Sequence, residues 1–342
     1  MTRVAVLTFH WAPNYGALAQ TYALVKILEN LCCEVVVVNL TPKKNISICG
    51  KLFQFPFNRF RHKYLPISRT QYFSSDELKN AVALKDFDLY IVGSDQVWNK
   101  EITRNLMYTY FFDFLDDNKK KISYAASFGN EEWFYDEQET LKIKSLLSKF
   151  EDISVRENSA VKLCKDFLNL SVKQVLDPTL LLGNFSEITG RIKENKAIVC
   201  FKFIQGDDFY SFLSKLAHLE KRKIYILNRL HLDFAYRNVP FPSIKTWISY
   251  IGGASLVVTD SFHGLCMALV HHRQFIVFSS NSKRQTRLLN LLEALGLEER
   301  FFSSYNAALD SQVWKKNIDY SLIDKKINLL RKSSLDYIKS VL

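Results

Sequence analysis

The sequence predicts an α/β protein of two domains, each built on a parallel sheet, and three observations carry that prediction. Short apolar runs alternate with stretches of helical spacing from the first residues onward. Several of those runs are almost continuously apolar, as in the VVVV of residues 35–38, which marks strands buried on both faces of a sheet. After VLDPTLLLG, residues 175–183, the alternation starts again, and 342 residues exceed what one ordinary core holds.

In chain order, residues 4–9 read as the first strand, followed by the loop HWAPNYGA. Leu18, Tyr22, Val25 and Leu28 then repeat at helical spacing. Residues 34–40, 88–92, 122–126 and 153–156 read as further strands, with a weaker one at 175–176, and helices fall at 136–150 and 158–168. The second domain begins with a strand at 197–204, a helix at 208–218 and strands at 223–227, 256–259 and 275–278. Its polar entry segment, 184–196, sets the expected division: residues 1–187, residues 188–320, and a C-terminal helix, 321–342, that packs back on the first domain. Residues 43–73 break the rhythm with many basic and aromatic residues, interrupted by Pro56 and Pro66. One reading is an insertion whose aromatics fill a local core; the other is a lip facing an anionic membrane surface or a lipid phosphate.

Composition excludes several classes. Apolar residues make up 48% and charged residues 24%, the balance of a soluble globular chain. No apolar run approaches the ~18 residues of a membrane span, and the first residues show no signal-peptide pattern, so a cytoplasmic protein is expected. Cys32, Cys33, Cys49, Cys164, Cys200 and Cys266 form no CxxC pair and no zinc spacing, which points to reduced structural thiols. The net charge of +11 favours anionic ligands. It is spread along the chain and accompanies no nucleic-acid motif, so nucleic acid is not an expected partner. No metal constellation stands out, because His271 and His272 are adjacent and would face different ways on a helix. Neither GxSxG nor a spaced Ser/His/Asp set is present.

Five motifs fall at expected strand ends, where open α/β sheets bind ligands. The first is TDSFHG, residues 259–264. With Asp260 or Ser261 capping a helix, the amides near Phe262, His263 and Gly264 point from its first turn and favour an anion. Gly264 permits close approach to the backbone, and His263 can donate to a phosphate or move a proton near neutral pH. A plain capping box is the competing reading. The second is Asn14-Tyr15-Gly16, opening onto a helix after the first strand; this spacing also fits an ordinary turn. In the third, Gly93-Ser94-Asp95-Gln96 with Trp98, an acid, an amide and an aromatic suit a sugar, although an N-cap with Trp98 in the core is the better reading of the motif taken alone. The fourth, SYAASFGN, places small residues including Ser127 at a strand end. In the fifth, ISVREN, the fork of Arg156 could hold a carboxylate or phosphate, or be paired with Glu157 or Asp177.

The ordered set NYGALAQTYAL, FDLYIVGSDQVWN, YAASFG, ISVRENSAV, VLDPTLLL and VVTDSFHGLCMAL resembles the polysaccharide pyruvyl transferase family, over most of the chain. Two features depart from the pattern: Cys33 stands where a glycine is usual ahead of the second strand, and residues 43–73 follow no family pattern. The resemblance implies two Rossmann-like domains arranged as in GT-B glycosyltransferases, with the donor in an interdomain cleft. It also implies phosphoenolpyruvate as donor, no cofactor, and a sugar diol, free or lipid-linked, that becomes a pyruvate ketal during capsular or exopolysaccharide synthesis. Arg156 and the Ser261-Phe262-His263 segment would line the donor site. On that basis His263 supplies acid or holds the leaving phosphate, Arg156 grips the donor, and Asp95 and Asn14 orient or deprotonate the acceptor hydroxyl. Arg287 adds a second cation. Alanine at His263 or Arg156 is expected to lower turnover and leave the fold intact. Two other functions remain open: a nucleotide-sugar glycosyltransferase of the same architecture, and a non-catalytic component of a glycan-assembly complex.

Overall fold

A computed structural model describes residues 1–43, 48–228, 236–279 and 282–342, with side chains described except at 48–52 and 282–284. The chain forms two units, residues 1–182 with 329–342, and residues 183–328.

In the first unit, β1 (Arg3–Leu7), β2 (Glu34–Val37), β3 (Leu89–Val92), β4 (Lys121–Ala126), β5 (Asp152–Val155) and β6 (Lys173–Gln174) form one sheet. Its order is β2-β1-β3-β4-β5-β6 and the pairings are parallel. Side chains of β1, β3 and β4 are buried on both faces, which is why their sequences carry no alternation. The weak strand expected at 175–176 lies two residues earlier, at β6. Because β2 and β3 flank β1 on opposite sides, strand order reverses between β1 and β3, and the loops after those two strands open at that switch point.

The register of β4 shifts against β5 between Ser123 and Ala126, and Ala125 takes φ 51°. Side chains replace the lost ladder bonds: the Ser154 hydroxyl accepts from the Ala125 amide (3.2 Å) and donates to the Ser123 carbonyl (2.8 Å). Tyr337 of the C-terminal helix, Tyr320–Val341, donates to that same carbonyl at 2.8 Å. Ser334 accepts from the Leu176 amide (2.9 Å), and Arg331 donates to the Leu180 carbonyl (2.7 Å). The C-terminal helix is thus sewn to the first unit beside the end of β4.

Aromatic residues of the 43–73 segment fill a local core, as one of its two readings expects; residues 44–47 lie outside the described residues. A helix, Ile48–Tyr64, lays Phe57 against Tyr15 (ring centroids 4.9 Å) and Phe60 against Tyr22 (6.1 Å), both on the helix Tyr15–Asn30. That second covering layer explains why Tyr15–Asn30 is buried almost all round although its spacing predicts a one-sided helix.

The second unit contains β7 (Ile198–Phe201), β8 (Ile224–Leu227), β9 (Arg237–Val239), β10 (Leu256–Thr259), β11 (Gln274–Phe278) and β12 (Phe301–Phe302). They form a parallel sheet of order β12-β11-β10-β7-β8-β9, with its switch point between β7 and β10. β9 and β12 are too short and too polar, or too isolated, to show as apolar runs in the sequence. Among the described residues, no helix is long and apolar enough to cross a membrane.

Candidate functional site

The second unit's switch point is organised by Asp260, the acid that ends β10. Its Oδ1 accepts from the Phe203 amide (2.8 Å), and its Oδ2 from the Ile204 amide (3.2 Å) and Lys202 Nζ (3.3 Å). Both side chains of the Lys202–Asp260 pair are shut from solvent. Lys202 also lies over the Phe209 and Tyr305 rings, at 5.4 and 5.9 Å. Asp260 therefore bolts the loop after β7 to the loop after β10, and the helix cap falls to Ser261, whose hydroxyl accepts from the Gly264 amide at 3.3 Å. The helix Phe262–Val270 follows, with Phe262 half-buried and His263 buried in its first turn, their rings edge to face at 5.3 Å. A Cβ on Gly264 would stand 2.5 Å from Thr259 Oγ1, a hydroxyl engaged with the Phe201 carbonyl. The glycine is thus required by the chain's own strand, not by an approaching ligand as the sequence reading holds. Arg287, half-buried, lies on the helix Ser282–Leu295, which packs on Phe262–Val270.

The first unit's motifs converge on a different kind of site. Arg156 ends β5 with its side chain 2% exposed and meets three carboxylates: Asp177 at 3.1 Å, Glu157 at 3.4 Å and Asp95 at 3.8 Å. Burial by itself would lower its pKa, but the charges of Glu157, Asp177 and Asp95 outweigh burial and raise it. Asp177 is a hub: its Oδ1 accepts from Thr179 N and Oγ1 (2.9 and 2.6 Å), its Oδ2 from Arg156 and from Ser94 Oγ (3.2 Å). Ser127 donates its hydroxyl to Glu157 and accepts from the Gly129 amide. The structural pairing of Arg156, one of the two readings of ISVREN, is present: its guanidinium lies among three acids, which outnumber it in charge.

Asp95 differs from its two companions. Its side chain is 12% exposed, against 3% for Glu157 and 0% for Asp177, and its backbone takes φ 86° with a bridge to Ala126. A non-glycine residue held at positive φ, beside Ala125 in the same state, stores local strain of the kind found at functional sites.

Other expected site residues turn inward. Trp98 is fully buried, stacked on Phe111 (5.3 Å, 8°), with its indole N–H given to the Tyr110 carbonyl. It has no open face to place under a sugar, which corrects that expectation. Gly93 is small because Thr8 and Leu24 would meet a Cβ at 3.1 Å. Tyr15 is buried under Phe57, and Gly16 is buried within the helix. Asn14 is exposed and caps that helix, its Oδ1 accepting from the Gly16 and Ala17 amides (2.9 and 3.2 Å), while Gln96 accepts from Asn99 at 3.1 Å. Lys202, which the sequence reading overlooks, had one visible signal: a lone cation ending the apolar run AIVCF. Among the described residues, no group of three or more His, Cys, Asp or Glu could hold a metal ion.

In fold the chain, with its two parallel-sheet α/β units, is similar to several solved structures. It is similar to Arabidopsis thaliana UGT89C1 complexed with UDP-L-rhamnose, with 9% identity, a TM-score of 0.61, and 99% of this chain and 95% of that one covered. The UDP-N-acetylglucosamine 2-epimerase of Rickettsia bellii gives 11% identity, a TM-score of 0.56, and coverage of 99% and 98%. That of Methanocaldococcus jannaschii gives 9%, 0.52, and coverage of 97% and 93%. No curated protein matches the chain. The family model for polysaccharide pyruvyl transferase matches residues 14–282, and the chain belongs to that family. It is accordingly a transferase whose family acts on polysaccharides.

Proposed function

We propose that the protein moves the pyruvyl group of phosphoenolpyruvate onto a sugar diol as a ketal during synthesis of a cell-surface polysaccharide, at the cytoplasmic side of a membrane. The observation that carries this reading is the contrast between the two strand-end sites. In the second unit Lys202 and Asp260 neutralise each other, leaving a helix N-terminus with Ser261 and His263 at its first turn. That environment suits a small trianion. In the first unit three acids surround one arginine, which suits hydroxyl groups and repels the donor.

The roles follow. The donor lies against residues 261–264, with Arg287 as a second cation, and His263 protonates the methylene carbon or the departing phosphate. One sugar hydroxyl attacks C2, the second closes the ketal, and the C2–O bond to phosphate breaks. Of the two hydroxyl protons, one ends on the new methyl group and one on the phosphate. Asp95, the most exposed acid of the first unit's cluster, is the candidate for orienting or deprotonating an acceptor hydroxyl, with Arg156 beside it at 3.8 Å.

Calorimetric titration with phosphoenolpyruvate and with UDP, on wild type and His263→Gln, tests the reading. Phosphoenolpyruvate binding weakened in the variant, with no response to UDP, is the expected result. A response to UDP alone would overturn it in favour of a nucleotide-sugar transferase.

A further inference from the structure

Residues 54–71 help to build a further polar site in the first unit. The helix Ile48–Tyr64 and the segment that follows it, residues 65–72, form one wall of a cavity of ≈ 560 Å³; the loops after β1 and β2 form the other. Its size falls in the range of small-ligand sites, and it opens at the carboxyl ends of parallel strands. That segment is tied in by isolated bridges Val37–Ile67 and Leu40–Tyr72, and the Asn39 amide donates to the Ser68 hydroxyl (3.1 Å). The wall is therefore a fixed part of the unit.

Among the described residues no carboxylate lines this cavity, in a unit where acids crowd the neighbouring strand ends. Its cations are Arg61 and Arg69, beside the histidine His62. Arg61 is 8% exposed, and its guanidinium donates only to neutral oxygens: the His10 carbonyl (2.6 Å), the Trp11 carbonyl (2.5 Å) and the Asn58 amide. Burial lowers its pKa to about 10, so it stays charged at neutral pH. A buried cation balanced by dipoles alone is costly, and an anion arriving beside it recovers that cost. Gln54, Asn58 and Gln71 add side-chain amides, which both donate and accept as sugar hydroxyls require, and Trp11 adds an indole.

We propose that this cavity binds an anionic saccharide through its phosphate or carboxylate, with Arg61 and Arg69 on the anion and the amides on the hydroxyls. Resting on the transferase reading above, it is the subsite that anchors the acceptor. The side chains lining the cavity then set which glycan is modified.

The test titrates the full chain with glucose 1-phosphate, glucuronate, methyl glucoside and inorganic phosphate, for wild type and Arg69→Glu. Arg69 is exposed, so its reversal spares the fold. Expected is binding of one charged sugar, the better of the two naming phosphate or carboxylate, weakened roughly tenfold or more by Arg69→Glu. Equal affinity in wild type and variant would overturn the proposal. So would methyl glucoside or inorganic phosphate binding as tightly as the charged sugars, or silence with every sugar while phosphoenolpyruvate binds. If a charged sugar binds and is lost in the variant while phosphoenolpyruvate gives no signal, the cavity stands and the donor reading falls.

Discussion

Replacing Arg156 with methionine should unfold more than it inactivates. The substitution keeps approximate length and removes the charge that three carboxylates share at 3.1, 3.4 and 3.8 Å. Two of those acids are 0% and 3% exposed and cannot turn to water. Removing one partner of a buried ion pair costs about 3–5 kcal/mol, because the other partner stays buried and unpaired. For a unit of about 200 residues, with ~2–4 °C of melting temperature per kcal/mol, the first unit's transition should fall by roughly 6–20 °C at pH 8. The dependence on pH fixes the cause. In the wild type the guanidinium is raised above its unfolded value, so its contribution is present throughout the accessible range and does not vary between pH 5 and 8. In the variant the acids lose their cation while two of them stay buried, so the penalty falls on their charged forms and is largest at high pH. Scanning calorimetry at pH 8 and pH 5 should therefore show a larger deficit at pH 8, with Arg156→Lys between the variant and wild type. A transition within ~2 °C of wild type at both pH values would refute the reasoning and return Arg156 to the role of a donor ligand, with the fold left intact by its loss.

Asp260→Ala should cost about 3–5 kcal/mol in the second unit by stranding Lys202; adding Lys202→Met should recover the part due to the stranded cation and leave the part due to the Phe203 and Ile204 amides, and a denaturant double-mutant cycle measures the coupling. Burial holds His10 down to about 4 despite hydrogen bonds to Asn39 and Thr8. The unfolded chain then binds the extra proton first, so stability should drop by up to about 3 kcal/mol as pH falls from ~6.5 toward ~4. His10→Gln should flatten that drop in acid-unfolding curves. Asp95→Asn should lower ketal formation at least ~100-fold with melting little changed, since Asp95 is the carboxylate left partly in solvent. Normal rates in that variant would remove it from the mechanism.

The sheets were legible because buried parallel strands have a signature that needs no partner: an apolar run of four or five residues between helical spacings. β9 and β12 escaped because a strand of two or three residues at a sheet edge has no such run. The motifs were located correctly at strand ends, and their residue types could not reveal what each one touches. Trp98, Gly93 and Gly264 look like ligand residues at such ends, but a neighbour in the chain claims each of them: Tyr110 and Phe111, Thr8 and Leu24, Thr259. Asp177 and Lys202 show the same limit from the other side. Their partners stand 83 and 58 residues away, Ser94 for one and Asp260 for the other, and no local spacing encodes a pairing that only the closed sheet creates. What decides between ligand and scaffold at such a residue is whether its charge or hydrogen-bonding capacity is already answered inside the fold. Arg156 is answered by three acids and Arg61 by none. By that criterion Arg61, balanced by neutral oxygens, is the arginine of the first unit whose charge is left for an anion to answer.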